Sequence, residues 1–306
     1  MFGIDSSKAT SQRKCAEELA SLQPSYRREV MAQLCFDRIG QKQEFIVDKF
    51  HDTDSWNETA YFMLLRSLDI KGNRASYERL ARIIPYRYFS KTAYDGRAIA
   101  ALLLGCAGLL SRLVSVCNHN KEIVELQSIF EYESHKYNLE TMDISDWQFV
   151  GHVGDNHPIV RLLQLASLLS QHVYLLNDIL DCRTKHDVEN LFCSTSIPSW
   201  ASRFLTDVSS SGAITRTKAQ MLGINVVAQM QIFYSEYTLR SDLDSRGIDL
   251  LEQLPAESNL FIARWSKLGV KAENALESQA LLQLTKEYCS RSLCDKCPFR
   301  RFVEAK

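Results

Sequence analysis

Apolar positions recur along this chain at steps of three and four residues, the spacing of helices that bury one side. Between residues 25 and 50, Tyr26, Val30, Leu34, Ile39, Phe45 and Phe50 stand among charges, and Pro24 suits a first helical turn. Ser55-Trp56-Asn57-Glu58 fits a capping box, with a helix continuing through Tyr61, Leu64, Leu65 and Leu68. Asn73 is placed to cap the next helix, which passes Tyr77, Leu80 and Ile84 and stops at Pro85. A strongly apolar helix is predicted from about Arg97 to Val116, and an amphipathic one over Lys121–Tyr137. Residues 140–156 are irregular, with a short extended piece at WQFVGHV. Pro158 opens a helix with a Leu162, Leu165, Leu168, Leu169, Val173 stripe.

Ser209-Ser210-Ser211-Gly212 is the best linker in the chain. Beyond it, Ile224, Val227, Met230, Phe233, Tyr234 and Tyr237 recur at helical spacing. Two further helices, about 256–267 and 271–288, are separated by Gly269, a natural residue just past a helix end. No repeat of solenoid length is present. The expected fold is all-α, a multi-helix bundle or irregular helical array with a cysteine-rich C-terminal tail. The linker divides it into regions 1–208 and 213–306, which can pack as a single domain.

Composition supports this: with only 12 Gly and 6 Pro in 306 residues, obligatory breaks are few. A formal net charge of −1 does not advertise a polyanionic partner, so nucleic-acid binding would have to rely on local basic patches. The most apolar run, Ile99–Leu110, falls short of the roughly 20 residues that span a bilayer, and no membrane association is expected. The opening residues show no signal-peptide pattern, so the expected location is cytoplasmic and the nine cysteines are expected to be reduced.

Reduced thiols matter at one place. Cys289, Cys294 and Cys297 form a C-x4-C-x2-C run followed by Pro298. A two-residue gap lets both sulfurs of a turn reach one ion, so the run is a candidate site for zinc or an iron–sulfur cluster. A fourth ligand must come from elsewhere; Cys182, Cys193, Cys117 and the seven histidines are candidates, and spacing does not choose among them. A loosely packed tail with no metal is the plain alternative.

Other constellations are weaker. The histidines show no zincin spacing, and no phosphate-binding glycine loop or nucleophile elbow occurs. Arg79, Arg82, Arg87, Tyr88 and Lys91 could meet phosphates while Tyr86 and Phe89 stack on bases. A solvated helix end with buried aromatics is the blander account. Glu277 and Gln279 lie in the polar stretch ENALESQ, as a buried polar network, a binding site, or simply an exposed face.

Several segments together resemble an uncharacterised bacterial family, number 2851 among the domains of unknown function. They are Trp56-Asn57-Glu58-Thr59, Leu103-Leu104-Gly105-Cys106-Ala107-Gly108, His135-Lys136-Tyr137-Asn138-Leu139 and Trp147. Asn156-x-Pro158 with Arg161, and Gly223-x-Asn225, continue the likeness. The longest run is Leu251-Glu252-Gln253-Leu254-Pro255-Ala256-Glu257-x-Asn259, followed by Trp265, Gly269, Asn274-Ala275 and Glu277-Ser278-Gln279-Ala280. Tyr288-Cys289, Cys294 and Cys297 close it.

The resemblance implies no established activity. It singles out Asn156, Arg161, Asn225, Glu277 and Gln279 as candidate binding residues, to which the basic tail adds Arg300 and Arg301. Family members are expected to carry an N-terminal nuclease-like region that this chain lacks, and a protein partner could supply it. Where relatives show R-x-R-P-x-N-x-P, this chain reads Gly151-His152-Val153-Gly154-Asp155-Asn156-His157-Pro158, without the arginines. The expected function is a non-catalytic binding or scaffolding module of a nucleic-acid-related bacterial system. The alternatives are an iron–sulfur, glycosylase-like enzyme, which the tail faintly resembles, and a metal-free protein-interaction domain.

Overall fold

A computed structural model describes residues 6–69, 72–116, 120–194 and 197–297. All regular elements among the described residues are helical, and none is a strand. The chain divides into two compact units: Met1–Val47 with Gln231–Lys306, and Asp48–Met230. Both boundaries fall inside helices, Pro24–Thr53 and Ala228–Thr238, rather than at residues 208–213. The Ser209–Gly212 tract lies within the second unit. Asp155 Oδ1 accepts from Ser210 Oγ at 2.6 Å and from the Ser211 N–H at 3.1 Å, which ties the supposed linker down.

The second unit is built around the Gly96–Cys106 helix, buried at every position from Ala98 to Cys106. It packs against Lys121–Tyr137 and Pro158–Gln171. A Cβ at Gly105 would come within 2.2 Å of the Phe130 ring, so glycine there sets how closely Lys121–Tyr137 can approach. The apolar helix expected to run on to Val116 ends at Cys106 and resumes as Leu110–Val116 after a 106° bend. Gly108, at φ +70°, terminates it: the Leu109 N–H donates to Leu104 O and the Gly108 N–H to Gly105 O, both at 2.9 Å. This is a helix stop that needs a left-handed residue. No single described helix is long and apolar enough to cross a membrane.

Two predicted caps work differently from expectation. Ser55 accepts from the Glu58 N–H at 3.4 Å, but the Glu58 carboxylate accepts from the Tyr86 and Arg87 N–H groups at 2.6 and 3.0 Å. Glu58 thus holds the first turn of the Arg87–Lys91 helix, while its own helix, Trp56–Leu68, packs against Arg74–Ile83. Asn73 makes no side-chain cap on Arg74–Ile83; it exchanges hydrogen bonds with the Gln148 backbone at 2.9 and 2.7 Å. The WQFVGHV segment forms no strand. It lies between two 3₁₀ turns, Ile144–Asp146 and Gly154–Asn156, and is anchored by a 2.8 Å bond from Trp147 Nε1 to Ala107 O.

In the first unit, Ser241–Gln253 and Leu260–Lys267 both pack against Ala275–Gln283, which runs on into the π-helical turn Leu284–Cys289. Trp265 is fully buried and donates to Thr285 Oγ1 at 2.7 Å. Gly269, at φ +90°, closes Leu260–Lys267 as its position predicts.

The stop at Gly108 gives a direct test. An added Cβ would lie 2.2 Å from Met142 O, and a side chain in this backbone region costs roughly 1–3 kcal/mol by itself. Gly108→Ala should lower the urea midpoint without changing the slope of unfolding. An unaltered midpoint would refute this account of the bend.

Candidate functional site

A surface groove of about 370 Å³ lies in the second unit, lined by Arg79, Arg82, Arg87, Tyr88, Tyr137 and neighbours. Arg74–Ile83 supplies two arginines, the Arg87–Lys91 helix Arg87 and Tyr88, and the end of Lys121–Tyr137 supplies Tyr137. Tyr88 and Tyr137 meet edge to face with centroids 5.0 Å apart. Lys91 Nζ lies 4.6 Å and 4.8 Å from the two ring centroids, and Lys136 Nζ is 4.8 Å from that of Tyr137. Arg79 is steadied by Asp146 at 2.8 Å; Arg87 is the most open of the paired arginines here, 65% exposed and 3.8 Å from Glu58.

For Tyr86 and Phe89 the blander account of the sequence holds, a helix end with buried aromatics. Tyr86 and Phe89 are buried against Tyr61, and Tyr86 Oη donates to Val173 O at 3.0 Å, so neither can stack on a ligand. Tyr88 and Tyr137 face the groove instead. Tyr137 was missed because its partner lies in another helix, and one-helix periodicity carries no such signal.

Asn156 and Arg161 are brought together. Arg161, 3% exposed, donates to Asn156 Oδ1 at 2.6 Å and to Gln164 Oε1 at 2.8 Å. Gln164 in turn donates to the backbone carbonyls of Gly212 and Ala213. Lys218 Nζ donates to Ser67 O at 2.8 Å and to Leu68 O, capping the end of Trp56–Leu68. Burial, then the Arg161 charge, lowers Lys218 to about 7, while Asp69 opposes them. Asp69 accepts from His152 Nε2 at 2.7 Å. These groups tie the 151–161 and 209–213 segments together. Asn225 sits apart from them in the π-helical turn Gly223–Val227, where its Nδ2 donates to Met221 O at 3.0 Å.

In the first unit, Gln279 is 1% exposed and central to a polar network. Its Oε1 accepts from Arg38 Nε at 2.7 Å and Lys42 Nζ at 3.0 Å, and its Nε2 donates to Glu257 Oε1 at 2.8 Å. Glu277 Oε2 accepts from Arg27 Nη2 at 3.1 Å and from the Glu273 N–H at 3.0 Å. Gln279 of ENALESQ is thus part of a buried polar network rather than an exposed face. Lys42 keeps some surface exposure, yet the protein packed around its ammonium lowers it to about 7, with Arg38 adding to the effect and Glu257 opposing it. Glu257 could have been found in the sequence only through its place in the Leu251–Asn259 run.

Cys289 and Cys294 are half-buried and Cys297 is buried, 7% exposed. Among the described residues, no group of three or more His, Cys, Asp or Glu side chains is placed to hold a metal ion. Arg300, Arg301, Pro298 and Cys117 lie outside the described residues.

The fold and these sites define an all-helical protein with an exposed basic-aromatic groove and two buried polar networks. The chain belongs to the family described as "Protein of unknown function (DUF2851)", whose model matches residues 5–260. No curated protein and no solved structure matches it.

The His157 side chain caps Pro158–Gln171 by accepting from the Ile159 N–H at 3.3 Å, with its ring against Phe149 and Phe204. Burial, then the Arg112 and His152 charges, lowers it to about 4. An unfolded histidine titrates near 6.5. Between these values the unfolded chain binds more protons, so stability falls as pH drops from about 6.5 to about 4 and this contribution is flat below. His157→Asn keeps a capping oxygen, should fold, and should lose this acid-sensitive window in urea titrations run across that range. An unchanged pH profile would clear His157 of the role.

Proposed function

We infer that the protein is a non-catalytic binding module whose ligand is single-stranded nucleic acid, held along the Arg79–Tyr137 groove. The observation that supports this reading best is the juxtaposition of three arginines with the Tyr88–Tyr137 pair on one open surface. Cationic grooves that track phosphates, with aromatic faces for bases, bind single strands with little sequence preference. Lys91 and Lys136 now cover the rings; on binding they would turn toward phosphate and free those faces for stacking.

Tyr88→Ala should weaken binding of a short labelled DNA or RNA strand by about 1–3 kcal/mol, the usual worth of one stacked base. Arg82→Ala with Arg87→Ala should also flatten the dependence of log affinity on log salt, by about 0.7 for each lost phosphate contact. Fluorescence anisotropy over a salt series reads both effects. Salt-independent binding, or wild-type affinity when Tyr88→Ala, Arg82→Ala and Arg87→Ala are combined, would remove nucleic acid from this groove.

A further inference from the structure

The helix Lys121–Tyr137 ends in the groove, and its exposed face carries a second aromatic position about one turn further back. A concavity of about 290 Å³ lies there, lined by Glu131, Tyr132, His135 and Lys136. Tyr132 and Lys136 are four residues apart and so stand on one face of the helix. Tyr132 is 65% exposed; a lone exposed tyrosine is ordinary, but this one adjoins the groove. Lys136 Nζ lies 5.5 Å from the Tyr132 ring centroid and 4.8 Å from that of Tyr137, within cation–π reach of both. Through that shared ammonium the two ring centres are at most about 10 Å apart.

Charge gives the two concavities different roles. Arg79, Arg82 and Arg87 make the first a place for phosphate. In the second, Glu131 is part of the lining and Glu133 pairs with Lys136 at 3.7 Å, so carboxylates there repel phosphate. A neutral base meets no such repulsion, and the exposed Tyr132 ring offers it a stacking surface. Toward the helix N-terminus the same row of positions continues as Ser128 and Val124, exposed but neither charged nor aromatic, so the track ends at Tyr132.

We propose, building on the nucleic-acid reading of the groove, that the single strand held there continues across Lys136 and stacks a further base on Tyr132. Lys136 then meets the phosphate between the two stacks. It already lies between the rings, so it need only swing off their faces to reach that phosphate. A stacked strand advances by about 3.4 Å per base, so the span between the rings takes up to about three steps. The ligand class is therefore a single strand of about four nucleotides or more, rather than a mononucleotide or a two-nucleotide end.

The test is affinity against strand length, read by displacing a fluorescent strand of about ten nucleotides from the full chain with unlabelled oligothymidylates, from the dinucleotide upward. Tyr132→Ala should bind the long strand about tenfold more weakly, the worth of one stacked base, and hold the dinucleotide as wild type does. Tyr132→Phe keeps the ring and should restore long-strand affinity. Tyr132 is exposed, so both variants should fold. Tyr88→Ala, by contrast, should weaken binding at both lengths. Unchanged long-strand affinity in Tyr132→Ala, an equal loss at both lengths, or a loss that Tyr132→Phe does not restore would each overturn the proposal. If Tyr88→Ala still weakens binding in those cases, the groove reading stands and only its extension falls; if Tyr88→Ala is also without effect, both fall.

Discussion

The second unit depends on how one apolar helix is brought to an end. Gly96–Cys106 is buried along most of its length, so its last carbonyls cannot turn to water and must find donors in the protein. They find them in the Gly108 stop, in the Met142 N–H that reaches Cys106 O at 2.8 Å, and in Trp147 Nε1 on Ala107 O. Those bonds fix the 140–150 segment, which then fixes the groove. Asp146 from that segment steadies Arg79, and Gln148 holds Asn73 at the start of the helix carrying Arg79 and Arg82. An unpaired buried carbonyl would cost about 1–3 kcal/mol, comparable with the whole contribution of a cap, so the loop's course is dictated by the helix it closes.

Much of the helical framework was legible because period and punctuation agreed. Pro24, Pro158 and Gly269 sit where the structure starts or ends helices. The failures share a cause. Glu58 and Asn73 have the right residue type and local position for capping, yet their side chains serve groups 28 and 75 residues away. Local spacing cannot rank a distant partner against a near one. The same blindness merged two helices across Gly108, since the apolar run continues through a bend made by backbone conformation. It also left two accounts open for Tyr86 and Phe89, stacking rings or buried aromatics, because which face is buried depends on Tyr61 in another helix.

Both buried polar networks place cations where desolvation works against them. Arg38 and Lys42 share the Gln279 amide oxygen, Arg161 meets that of Gln164 and Lys218 two backbone carbonyls, with a carboxylate, Glu257 or Asp69, acting on each pair. Amides satisfy donors without adding charge, which spares the structure the full expense of burying ion pairs. The arrangement favours one packing of the helices over near alternatives, since a shifted register would strand those donors. In the first unit this explains why Glu257 and Gln279, remote in sequence, act as one feature of the fold.

The carboxylate of Glu58 has an effect at a distance from its own helix. By gripping the amides of Tyr86 and Arg87 it immobilises the short segment that displays Arg87, Tyr88 and Lys91 before any ligand arrives. A pentapeptide helix alone in water would be mostly unravelled. Here its ordering entropy has already been surrendered during folding, so a single strand bound as proposed would need to freeze only itself and a few side-chain rotors. Encounters at such a surface should be rapid and governed by charge rather than by slow rearrangement of the receptor backbone.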